Sequence, residues 1–154
     1  MSSGVRILIV ESRFYEEITD GLVKGAVKEL TAVGAGYKRI VVPGILEIPA
    51  AIRFVVQAAE QRANDDRYTG FIALGCAIRG ETDHYQHVSH EAIRGCQDLA
   101  LQYSLALGNG ILTTHNKAQA MERCLPERRN FGGQAARACL RMIEIKRELS
   151  LLSK

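Results

Sequence analysis

The chain has 154 residues, 47% of them hydrophobic and 24% charged, which suits one domain with a buried core and excludes a disordered or low-complexity protein. Its net charge of +3, from 20 basic and 17 acidic residues with small basic groups only at 127–129 and 141–147, excludes the strong positive field of a nucleic-acid binder. The four cysteines, Cys76, Cys96, Cys124 and Cys139, lack C-x-x-C spacing, which excludes a zinc ribbon or redox pair and predicts reduced, mostly buried thiols.

The first element is a short apolar run, Val5–Val10, with one basic residue ahead of its longest part. It is too short for a signal-peptide core or a bilayer span, so a cytoplasmic protein without membrane association is expected. The run reads as a buried strand. A helical period follows, with Ile18, Leu22, Ala26 and Leu30 at four-residue intervals, Thr19 or a nearby residue as its candidate cap and Gly34 closing it. Arg39–Val42 predicts a second strand, followed by a helix through Ile48, Ile52, Val55, Val56 and Ala59 with Pro49 in its first turn. Phe71–Leu74 predicts a third strand, and Val88, Ile93, Cys96, Leu99 and Ala100 mark the helix after it. Gly110–Leu112 is a weaker fourth strand, followed by a short helix over Lys117–Leu125 that stops at Pro126 and a terminal stripe through Ala135, Cys139, Met142 and Ile143.

Strand and helix alternate four times, and the strands are almost continuously apolar. That pattern predicts a single domain over residues 1–154, an α/β fold in which a four-stranded parallel sheet lies between two helical layers. Ligands of such sheets bind beyond the carboxyl ends of the strands, which directs attention to 11–15, 43–47, 75–84 and 113–116.

The third of these loops runs into LGCAIRGETDHYQHVSHEA, with His84, His87 and His90 at three-residue spacing. On a helix His84 and His90 point about 120° apart, so the three cannot converge on one ion, and the H-E-x-x-H spacing is absent. No metal site is expected. His87 and His90 read as solvated or interface side chains, whereas His84 follows Arg79–Thr82 at the start of a helix and faces the expected crevice. Gly80 in that turn frees backbone N–H groups for an anion such as phosphate, but the turn has neither the lysine of a P-loop nor the glycines of a dinucleotide fold. From the residues alone, R-G-E-T is equally a phosphate cradle or a plain capped turn. The other loops leave similar pairs of readings. Phe14 either stacks on a planar ligand or packs on the first helix; Glu47 either binds a ligand or favours the helix dipole; Arg123 is a phosphate partner or a solvated arginine.

Taken together, RFYEEIT, VPGILEIP, LGCAIRGETDHYQHV, ILTTHNKAQAMER and GGQAARACL, in this order and spacing, resemble the lumazine synthase family over nearly the whole chain. P-G-x-x-E-I-P and G-x-x-I-R-G-E-T-x-H are its most specific pieces. The resemblance implies a flavodoxin-like sandwich and an enzyme of riboflavin biosynthesis, a transferase that needs no metal or organic cofactor. Such enzymes condense 5-amino-6-ribitylamino-uracil with 3,4-dihydroxy-2-butanone 4-phosphate to give 6,7-dimethyl-8-ribityllumazine, phosphate and water. By resemblance, Phe14 would stack on the pyrimidine, Ile45, Leu46 and Glu47 would line the ring and hold the ribityl chain, and Ala77 and Ile78 would offer backbone contacts. Asn109 would belong to the wall of the ring pocket. Gly80, Glu81 and Thr82 would cradle the phosphate, with Arg123 as its charged partner reaching from a neighbouring subunit, and His84 would be the acid and base. A homopentamer with sites between subunits is implied.

Three positions depart from the family pattern. Tyr15 stands where many members have Asn, Asn109 where many have an aromatic, and Phe131 where many have Lys; Arg128 or Arg129 is then the available replacement cation. Two competing readings share the architecture. A flavin- or lumazine-binding protein with little synthase activity would have no need of the second, phosphate-gripping set of residues. A phosphoacceptor signalling domain needs clustered acids at the first strand end, which Glu11 alone does not supply.

Overall fold

The computed structural model describes residues 4–61, 67–80 and 85–152. In chain order the elements are β1 (Arg6–Ser12), α1 (Glu16–Ala32), β2 (Gly36–Val42), a 3-10 turn (Ile45–Glu47), α2 (Ile48–Gln61), β3 (Gly70–Ile78), α3 (Tyr85–Tyr103), β4 (Leu107–Thr114), α4 (Lys117–Cys124) and α5 (Phe131–Glu148). The strands are parallel in the order β2-β1-β3-β4, which is the expected three-layer sandwich.

Side-chain alternation along the central strands explains the layers. On β1, Ile7 and Ile9 face a core built with α1, α4 and α5, including Ile18, Leu22, Leu30, Cys139 and Ile143. Leu8 and Val10 face the opposite core, where Ile48 and Ile52 of α2 meet Ala92 and Cys96 of α3. With both faces covered, every second residue has a dry partner on either side, and the strand reads as one apolar run.

The sequence expectations fail at informative places. Thr19 is not a cap; it lies inside α1 at 0% exposure, and its hydroxyl donates to the Ser12 carbonyl at 2.6 Å. Tyr15 occupies the cap position without a side-chain cap bond, and Glu16 and Glu17 place negative charge in the first turn, where the helix dipole favours it. The chain leaves α1 through Gly34 at φ +71°, as expected of a glycine closing a helix. Ile93 and Met142, expected inside, are 37% and 43% exposed; the buried stripe of α3 is Ser89, Ala92 and Cys96.

All four strands are longer than, or shifted from, their apolar signals. β2 begins at Gly36, but its polar residues stand on an edge strand that is exposed or half-exposed up to Val41. β4 begins at Leu107, its signal diluted by Gly108, Asn109 and Gly110. A Cβ at Gly108 would strike the Ala135 carbonyl, and one at Gly110 would lie 2.6 Å from Leu74 Cδ2, so small residues let α5 and β3 lie close. β3 continues through Ile78, which places Gly75–Ile78 in the strand and not in the loop expected there. The four cysteines are buried and none is in a disulfide among the described residues, matching the expectation of reduced, mostly buried thiols. Among the described residues no helix is long and apolar enough to cross a membrane.

Candidate active site

The carboxyl end of β1 changes abruptly from apolar to charged. Glu11 is fully buried at 0% exposure. Its Oε2 accepts from Arg39 Nε at 2.8 Å, and its Oε1 accepts from Arg39 Nη2 at 2.8 Å and Arg13 Nη1 at 2.7 Å. Arg13 also pairs with the Asp20 carboxylate of α1. Burial alone pushes the Glu11 carboxyl up, but the hydrogen bonds and charges of Arg39 and Arg13 together outweigh it and hold the group below its ordinary value. This network ties β1, β2 and α1 together, and the sequence reading missed it. The signal was an acid ending an apolar strand and an arginine inside the next strand.

Phe14 follows Arg13 in the turn. It is 73% exposed and meets Tyr15 edge-on, with ring centroids 4.9 Å apart and planes at 74°. Of the two readings, packing on α1 does not describe this ring; it stands open beyond the sheet.

After β2 the chain turns through Pro43 and Gly44 into the 3-10 turn, closed by Glu47 N donating to Gly44 O at 3.2 Å. Ile45 is buried at 4% and lies against Gly75 of β3, where any Cβ would sit 2.6 Å from Ile45 Cγ2. Leu46 and Glu47 are exposed. Glu47 therefore belongs to this turn, one residue before α2. The turn has a fixed inner residue and two outward-facing ones, which is the geometry a ligand wall requires.

β3 outruns β1. Its last β1 partner is Leu74, opposite Glu11, whereas Ala77 and Ile78 pair with Thr113 and Thr114 of β4. Ala77 and Ile78 are both buried, at 6% and 2% exposure. Gly80 follows at φ +84°, a conformation that residues with a side chain rarely adopt, and none of the described residues lies within 4 Å of where a Cβ would point. Glu81, Thr82 and His84 lie outside the described residues.

The β4 side of the crevice carries Arg123. It projects from the last turn of α4, half-buried, with Nη1 3.4 Å from the Thr113 carbonyl at the end of β4. The Asn116 side chain starts α4 by accepting from Gln119 N at 2.8 Å, which sets the direction of the helix. Asn109 lies elsewhere: it is exposed, opposite Ala73, early in the edge strand β4, with Oδ1 accepting from Ile111 N at 2.9 Å. The structure does not bring it to the carboxyl-end crevice of its own chain. Phe131, at the start of α5, lies under the Arg129 guanidinium at 5.1 Å, while Arg128 is paired with Glu122.

Beside Thr113 and the first turns of α3 is an open cleft of about 540 Å³. His87 and His90 line it and are exposed. Among the described residues no group of three or more His, Cys, Asp or Glu side chains could hold a metal.

The parallel sheet between two helical layers places this chain in the doubly wound α/β class, whose small-molecule ligands bind at the carboxyl ends of the strands. A sequence model described as 6,7-dimethyl-8-ribityllumazine synthase matches residues 4–147. A 6,7-dimethyl-8-ribityllumazine synthase of Paramagnetospirillum magneticum is 57% identical over 148 residues, covering 96% of this chain and 99% of that protein. Those of Bartonella tribocorum and Afipia carboxidovorans are 52% and 51% identical, each over 96% of this chain and over 93% and 90% of their own lengths. The chain belongs to the 6,7-dimethyl-8-ribityllumazine synthase family.

Proposed function

We infer that this protein is a 6,7-dimethyl-8-ribityllumazine synthase of riboflavin biosynthesis, condensing 5-amino-6-ribitylamino-uracil with 3,4-dihydroxy-2-butanone 4-phosphate. Family membership over residues 4–147 carries the reading, and the crevice at the strand ends suits it chemically. Phe14, open to solvent, takes the pyrimidine face; Leu46 and Glu47, with Ile45 behind them, take the ring edge and the ribityl hydroxyls. The main chain at Ala77 and Ile78 supplies donors and acceptors to the ring. Gly80, Glu81 and Thr82 hold the phosphate, with Arg123 neutralising it. His84 moves protons during imine formation, phosphate loss and ring closure, because an imidazole titrates close to neutrality. Most of the acceleration comes from holding the amine against the ketone. Neither a metal nor an organic cofactor takes part.

The assembly is a homopentamer in which each site is completed by a neighbour. Support comes from the placement of the site residues: Phe14 and Glu47 follow β1 and β2, whereas Asn109 lies early in β4 on the opposite edge of the sheet. Asn109 then belongs to a neighbour's pocket wall. Light scattering at several protein concentrations tests the subunit number.

The deciding experiment incubates purified protein with both substrates and follows lumazine fluorescence. The unmutated protein should form product; His84→Ala should slow it by about 10²–10⁴-fold, the usual range for general acid–base catalysis, without abolishing it. Arg123→Ala should raise KM for the butanone phosphate. A yellow protein that bound flavin but formed no lumazine would overturn the enzyme reading in favour of a flavin-binding one.

A further inference from the structure

Phe14 poses a physical problem for the function proposed above. A ring that is 73% exposed and touches Tyr15 edge-on is held by its backbone more than by packing, yet a stacking platform helps only if its plane is set before the ligand arrives. The residue before it supplies the restraint. Arg13 Nη1 donates to Glu11 Oε1 at 2.7 Å, and Nη2 reaches Asp20, so one guanidinium fastens the turn to the end of β1 and to α1. Glu11 is itself immobilised, because Arg39 of β2 grips both of its oxygens at 2.8 Å.

Stability alone does not account for this arrangement. Taking a carboxylate out of water is costly, and an apolar residue of similar size commonly serves a buried position as well or better than an ion pair does. Two arginines converge on a fully buried acid three residues before the ring. We propose that Glu11 is a positioning residue for the synthase reaction: through Arg13 it fixes the turn that presents Phe14 to the pyrimidine substrate. The inference rests on the lumazine synthase reading and adds to it a residue that never touches substrate.

The test compares the unmutated protein with Glu11→Gln, Arg13→Gln and Arg13→Lys. Each is titrated with 6,7-dimethyl-8-ribityllumazine by fluorescence and assayed with either substrate varied. Glu11→Gln and Arg13→Gln should raise the lumazine Kd and the KM for the ribitylamino-uracil about tenfold, the scale of one lost aromatic contact. KM for the butanone phosphate should stay within about twofold, and Arg13→Lys, which keeps the charge, should fall between. In a Phe14→Ala background, Arg13→Gln should cost nothing further, since coupled residues are not additive. Should Glu11→Gln fail to fold, Arg13→Gln decides the matter, because it leaves Glu11 paired with Arg39. Unchanged affinities, equal losses for both substrates, or additivity with Phe14→Ala would overturn the proposal while leaving the enzyme reading intact. An unmutated protein that neither binds nor forms lumazine would overturn the enzyme reading itself.

Discussion

Substitution of Gly75 by Ala probes the coupling of sheet and site most directly. The new Cβ would stand 2.6 Å from Ile45 Cγ2, 3.3 Å from Ser12 Cβ and 3.8 Å from Ile48 Cδ1. Carbon atoms rest at about 3.5–4.0 Å, so Ile45 must retreat by about 1 Å. Because Ile45 is buried and belongs to the 3-10 turn, the retreat carries Leu46 and Glu47 with it. Overpacking of this size costs about 1–3 kcal/mol, and a displacement of about 1 Å at a binding wall can lower activity by about 10²-fold. Urea unfolding at fixed protein concentration should show the stability loss, and KM for the ribitylamino-uracil should rise more than KM for the butanone phosphate. Ile45→Ala removes the colliding methyl group at its own cavity cost of about 2–5 kcal/mol. The double variant should therefore be more stable than the two single losses added together predict. Full additivity, or a Gly75→Ala protein with unaltered stability, would refute this account of the contact.

Other expectations follow from single groups. Ser12 Oγ is buried without a hydrogen-bond partner among the described residues, so Ser12→Ala should be neutral or stabilising by up to about 1 kcal/mol in urea unfolding. Thr19→Val, which strips the donor from the Ser12 carbonyl, should instead cost about 1–2 kcal/mol in the same assay. Burial raises the Glu11 carboxyl but Arg39 and Arg13 bring it below its ordinary 4.5. The folded-state value is thus the lower one, and the stability it contributes is present above about pH 4.5 and fades as pH falls through the folded value. Thermal unfolding between about pH 3 and pH 7 should show that loss, and Glu11→Gln should flatten it. Burial pushes the thiols of Cys96 and Cys139 up to about 12 and that of Cys124 to about 11. At about pH 8 their thiolate fraction is of order 10⁻³ or less, so these three should resist a disulfide reagent in the folded protein and react once guanidinium unfolds it.

What could be read from the sequence follows from how locally each feature is determined. The run through β1 announces itself because both faces of a central parallel strand are dry, and the helical stripes at Leu22, Ile52 and Cys139 mark genuinely buried positions. β2 and the start of β4 are obscured for opposite reasons. One is an exposed edge whose residues are polar; the other is so closely covered by α5 that glycine replaces the branched side chains by which strands are recognised. Among the site positions, the turns at Phe14, Glu47 and Gly80 were legible as loops at strand ends. Whether Phe14 packs or stands open was not, since that depends on neighbours set by the fold. The Glu11–Arg39 pair was hidden for a related reason: its members lie 28 positions apart, and only the β1–β2 register makes them neighbours. Asn109 was tied to the pocket by family resemblance alone, and its strand extends three residues before the apolar signal begins.

The unequal lengths of β1 and β3 bear on how this protein can vary. A binding surface assembled from side chains drifts whenever those residues change, whereas a ledge of main chain presents the same donors and acceptors whatever is attached beneath it. Over Ala77 and Ile78, which meet a neighbouring strand on the β4 flank and not on the β1 flank, substitution is constrained from below by the dry interior and not from above by the ligand. Conservative exchanges such as Ile78→Val should therefore register in the unfolding free energy and leave ring recognition almost untouched.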